Sequence, residues 1–119
     1  MQTADAFCVV LVTAPNLDAA RLLARKAVEG RLAACVNIVP AIESHYWWEG
    51  KVHHDPESLL LIKTTRDRLA ALEEVLLAAH PYDTPEIVAL PMAEGTPRYL
   101  AWLADSVRPS AGPGEGKLG

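Results

Sequence analysis

From Phe7 to Val12 the chain runs FCVVLV, with no charge and no turn former, the pattern of a strand covered on both faces and set centrally in a sheet. Asn16 then offers an N-cap, and Ala20, Leu23, Ala24, Ala27 and Val28 recur at helical spacing until Gly30 supplies a stop. The stretch from Leu32 to Trp48 reads as one long strand, bent at Pro40, which cannot donate to a ladder and so implies a bulge or an unpaired edge. Glu49-Gly50 makes the turn. The returning arm is polar through His53, His54, Asp55 and Pro56 and then becomes Leu59-Leu60-Leu61-Ile62, a second run suited to a doubly covered strand. Thr65 can cap a helix whose apolar stripe is Leu69, Leu72, Leu76 and Leu77, ended by Pro81. A last strand spans Ile87 to Leu90, and Thr96-Pro97 opens a short helix that turns Leu100, Leu103, Ala104 and Val107 inward.

This order, βαββαβ with a closing helix, predicts an α+β domain of the ferredoxin-like, split-βαβ kind over residues 1–108. Residues 109–119 carry too little apolar surface to fold and are expected to form a disordered tail. The hairpin is too long for such a body. An extended run of 17 residues reaches about 55 Å, whereas a globule of this length is about 35 Å across. Its overhanging tip carries Tyr46, Trp47 and Trp48, which predicts that these aromatics are interface anchors in an assembly of identical chains.

A two-residue turn at Glu49-Gly50 further predicts the pairing: Trp48 opposite Lys51, Trp47 opposite Val52, Tyr46 opposite His53, and His45 opposite His54. Opposed Cβ atoms lie about 5 Å apart, so His45 and His54 can clip a metal ion between them or stand as two solvated histidines.

Charge narrows the partners. Eleven basic against fifteen acidic residues give −4 with no cluster of Lys or Arg, which argues against nucleic acid and against an anionic membrane. The opening segment has no basic n-region and only a short apolar run, so a cytoplasmic protein is expected. Cys8 and Cys35 make no disulfide framework and are expected as thiols, core residues before ligands.

The densest chemistry lies in His80-Pro81-Tyr82-Asp83-Thr84-Pro85-Glu86. Two prolines fix its path while His80 and Glu86 offer imidazole and carboxylate, donors that suit Cu(II) or another borderline divalent ion. The same residues have a structural reading, with His80 capping the preceding helix and Glu86 pairing with Lys63 or a neighbouring subunit. No nucleophile sits beside a base and no glycine loop cradles phosphate, so neither a catalytic site nor a required cofactor is expected.

Arg31 to Pro40 (RLAACVNIVP), Tyr46 to Lys51 (YWWEGK) and His80 to Glu86 (HPYDTPE), with Leu61 to Thr64 and Tyr99 to Leu103, closely resemble the CutA family, the divalent-cation tolerance proteins. The match runs in register from about Val9 to Val107. The resemblance implies a ferredoxin-like fold, a stable homotrimer like that of signalling protein PII, and a part in copper tolerance through weak binding of divalent ions. The copper ligands proposed in some members fall here on Val12, Ala79 and Glu86, of which only Glu86 is a donor. An alternative, drawn from the PII-like trimer by fold-level analogy, is a signalling module that takes a small anion in an intersubunit cleft, with Cys35, Lys63 and Tyr82 as the cleft residues.

Overall fold

The computed structural model describes residues 1–109, so the expected tail lies outside the described residues from position 110 onward. In chain order the elements are β1 (Gln2–Thr3), β2 (Phe7–Ala14), α1 (Leu17–Glu29), β3 (Cys35–Trp48), β4 (Lys51–Thr65), α2 (Leu69–Ala79), β5 (Ile87–Pro91), β6 (Glu94–Gly95) and α3 (Pro97–Ser106). One 3₁₀ turn, Arg66–Arg68, leads into α2.

Four strands form an antiparallel sheet in the order β3-β4-β2-β5, the ferredoxin-like arrangement. β2 is central, as its apolar run predicts. β1 and β6 form a separate two-stranded ribbon, which two-residue strands without periodicity do not announce.

The core lies between one face of the sheet and helices α1 and α2, where Val10, Val12, Leu60 and Ile62 meet Ala20, Leu23, Leu72 and Leu76. Burying each of the larger side chains contributes about 1.5–3 kcal/mol before conformational entropy is set against it. The opposite face is only partly covered: Val9, Leu11, Leu59 and Leu61 are half-buried, while Val39, Val88 and Leu90 are exposed. β2 and β4 are therefore doubly covered only if something else supplies the second layer.

Several local expectations are corrected. The long strand starts at Cys35, because Leu32 and Ala33 turn back onto the Ala27 carbonyl. Val28 and Leu77 face solvent, each lying at the edge of a helical stripe that the core does not reach. The left-handed residue after α1 is Arg31 (φ 59°), while Gly30 has φ −81°. Thr65 directs its hydroxyl to the Asp67 carboxylate and caps no backbone N–H, whereas Asn16 caps α1 as expected through Ala19 N–H at 2.8 Å.

The hairpin of β3 and β4 extends the molecule to 46 Å along one axis against 27 and 26 Å along the others. Its radius of gyration of 15.1 Å exceeds the roughly 13.5 Å expected of a compact chain of this length.

Candidate functional site

Between Val39 and Ile42 the β3–β4 register shifts: Val39 pairs with Leu59 and Ile42 with Glu57, so Pro40 and Ala41 together oppose Ser58. This is a bulge of one extra residue, and Pro40 is suited to it because it has no N–H to lose. The Ser58 hydroxyl donates to the Pro40 carbonyl at 2.7 Å and fixes the bend. Side chains alternate with a period of two, so one extra residue reverses the facing of everything beyond it. Ser44, Tyr46 and Trp48 thereby join the face that carries Glu57, Leu59 and Leu61, while Trp47 takes the other side.

Past the bulge the pairing is the one predicted from the turn, including His45 opposite His54 and Tyr46 opposite His53. Glu49 (φ 51°) and Gly50 (φ 77°) both take the left-handed conformation, giving a turn whose twist matches the flanking strands.

The segment after α2 docks on β2 through His80 and reaches the hairpin through Tyr82. Nε2–H of His80 donates to the Thr13 carbonyl at 2.7 Å, and Nδ1 accepts from Tyr82 N–H at 3.1 Å. The ring is 8% exposed. His80 thus ends the helix and splices the following segment onto β2, and neither of its nitrogens is left to hold a metal ion. Tyr82 packs on this ring at 4.9 Å, and its hydroxyl donates to Glu57 Oε2 at 2.8 Å. On the hairpin, Tyr46 donates to Asp55 Oδ2 at 2.5 Å.

These contacts enclose a cleft of about 670 Å³ whose walls include Tyr46, Trp48 and Tyr82, with Glu57, Asp83 and Glu86 supplying carboxylates. Burial first, and then the Glu57 carboxylate, pushes the Tyr82 phenol well above its ordinary range. The hydrogen bond to Asp55 is the main cause raising Tyr46, and burial that raising Tyr99. A phenol that holds its proton more tightly when folded stabilises the fold fully below its unfolded pKa, near 10, and loses that contribution as pH rises through the folded value. Titration of tyrosinate absorbance is therefore expected to begin above pH ~10 in the native protein and to return to the ordinary range in denaturant. A normal native midpoint would show that the two tyrosine–carboxylate pairs do not persist in solution.

The proposed cleft residues do not gather within one protomer. Cys35 pairs with Lys63, and both direct polar atoms to the Asn37 side chain. Glu57, which holds Tyr82, lies six residues before Lys63 on β4, about 20 Å away. Lys63 reaches Asn37 rather than Glu86, so the expected ion pair does not form. Val12 is a buried apolar side chain and Ala79 carries no donor, so the copper ligand set does not fit this chain. His45 and His54 do come together, with ring centroids 5.5 Å apart, but they stack, and His45 Nε2 sits 2.6 Å from Glu43 Oε2. Among the described residues no three His, Cys, Asp or Glu side chains converge on one point. Glu57, Asp55 and Thr13 went unmarked in the sequence, because their partners are distant in the chain and no short motif joins them.

The sequence model of the CutA1 divalent ion tolerance protein family matches residues 8–106. The chain belongs to the CutA1 family. It is 55% identical over 102 residues to Protein CutA 1, chloroplastic, of rice, covering 86% of this chain and 58% of that protein. It is 54% identical over 98 residues to the divalent-cation tolerance protein CutA of Thermus thermophilus, covering 82% and 95% respectively. The crystal structure of CutA1 from Oryza sativa superposes with a TM-score of 0.85 at 52% identity, covering 92% of this chain and all of that one. This CutA1 chain spans only 58% and 55% of the rice and Arabidopsis thaliana relatives it matches.

Proposed function

We propose that this chain acts as a PII-like homotrimer in tolerance of, and response to, divalent metal ions, copper among them. In this reading it is a binding protein without catalysis or a required cofactor. The observation that carries the assembly is the half-covered sheet face, where Val39, Val88 and Leu90 are exposed, together with the exposed aromatics of the hairpin tip. A second copy supplies the missing layer, and the number three follows from family resemblance. The metal role rests on family membership and on relatives named for divalent-cation tolerance.

Within this chain the accessible donors are Glu86 in the cleft and the His45–His54 pair beside Glu43. Two or three exposed donors that must rearrange support weak, reversible ion uptake rather than a closed site. This reading places the chain in the cytoplasm; among the described residues no helix is long and apolar enough to cross a membrane, and the rice relative is named chloroplastic. The small-anion alternative has less support, since no Lys or Arg lines the cleft and Lys63 is engaged elsewhere.

Sedimentation of the metal-free protein should give the mass of three chains. Calorimetry with Cu(II) and Zn(II) should give a weak, saturable isotherm. The double variant His45→Ala, His54→Ala is expected to bind Cu(II) about ten-fold less tightly, a loss of about 1.4 kcal/mol. A lone protomer would overturn the assembly, and an unchanged affinity would remove the ion from the hairpin.

A further inference from the structure

The cleft beside Tyr82 has a chemistry that divalent-ion uptake through Glu86 and His45 uses only in part. Its walls include the rings of Tyr46, Trp48 and Tyr82, and its charged groups are the carboxylates of Glu57, Asp83 and Glu86, with no Lys or Arg among the lining residues. Both phenol hydroxyls are already spent as donors, Tyr46 to Asp55 and Tyr82 to Glu57, and each ring lies against a histidine on one side, Tyr46 on His53 and Tyr82 on His80, which leaves ring surface rather than free O–H groups to the cleft. Beside the His45 imidazole and the hydroxyls of Ser44 and Thr84, the lining offers π surface and carboxylate oxygen, and both of these favour positive charge. An anion meets like charge. A metal ion meets too few convergent donors, since no three ligating side chains gather among the described residues. A cation spread over an organic group needs no tight coordination shell, only ring faces within about 6 Å and a carboxylate nearby.

We infer that this cleft is a binding site for a small organic cation, an ammonium or guanidinium compound with an apolar body. Its volume of about 670 Å³ lies within the ordinary range for small-molecule sites. Trp48 and Tyr46 arrive there through the bulge at Pro40 and Ala41, and Tyr82 through the His80 splice, so both walls are held by features of the fold rather than by loose loops. The inference goes beyond the metal-tolerance reading and does not rest on it.

The test uses the intact protein in its native assembly and benzyltrimethylammonium as the probe, with neutral benzyl alcohol and anionic benzoate as comparators. Calorimetry, with indole fluorescence reporting on Trp48, is expected to show saturable binding of the cation at least ten-fold tighter than either comparator. Glu57→Gln is expected to weaken it about five-fold. Glu86→Gln, at an exposed position, provides a second variant should the first lose its fold, and weaker binding in either upholds the site. Three results would overturn it: no saturable binding, as when a second copy's chain fills the cleft; equal binding of benzyl alcohol or benzoate; or unchanged affinity in both variants.

Discussion

Replacing Trp47 and Trp48 together with serine is expected to break the assembly into protomers at low micromolar concentration while leaving each protomer folded. The two indoles are 74% and 48% exposed in the isolated chain, so the protomer's own stability draws little on them. Tyr46 is exposed on the same face of the ribbon as Trp48, and Val52 on the same face as Trp47, and apolar surface of this kind stays in water only when another surface covers it. Buried aromatic anchors typically contribute ~2 kcal/mol or more each, and a combined loss of about 4 kcal/mol weakens association roughly a thousand-fold. Sedimentation equilibrium against concentration checks the mass, and far-ultraviolet circular dichroism checks the fold. A variant that keeps the wild-type mass on dilution would show that the tip is not an anchor and would leave the sheet face to hold the copies together alone.

The second large effect is expected from His80→Ala, at a cost of about 2–4 kcal/mol in the denaturant midpoint. The substitution leaves the Thr13 carbonyl and the Tyr82 N–H without their partners and opens a void beneath the Tyr82 ring. His80→Gln, which keeps a donor for Thr13, should recover part of the loss. The decisive control is that both variants are measured without metal and that Cu(II) affinity stays unchanged. A residue acting as a ligand would give the opposite pattern, with little change in the metal-free midpoint and a clear drop in copper binding.

Much of the architecture was legible in the sequence because its signals are local. Asn16 announces its cap, Glu49-Gly50 announces a two-residue turn, and the turn dictates every pair from Trp48–Lys51 to His45–His54. Pro40 marks the bulge for the same reason: its missing N–H is a property of one residue. The site was harder to read because it is assembled across the chain. Tyr82 and Glu57 are 25 residues apart, His80 and Thr13 are 67 apart, and no spacing rule connects such pairs. Fold-level analogy places Lys63 and Tyr82 in one crevice, yet Lys63 lies near the end of β4 and Tyr82 meets the strand at its middle, on Glu57. Leu77 and Val28 illustrate a different limit. Periodicity places them on the apolar stripe, but the width of the buried face depends on how closely the helix sits on the sheet.

The alternation of the β3–β4 ribbon beyond Pro40–Ala41 also constrains how it can change in length. Adding or removing two cross-strand pairs there moves the tip outward or inward and keeps its indoles pointing the same way, whereas a single pair turns them over. Taking one residue out of the bulge leaves Ile42 opposite Glu57 and the indoles on the sides they now occupy, and removes only the local bend. The ribbon is in effect an arm that can be lengthened in even steps, whereas an odd step offers its neighbour the back of the hand.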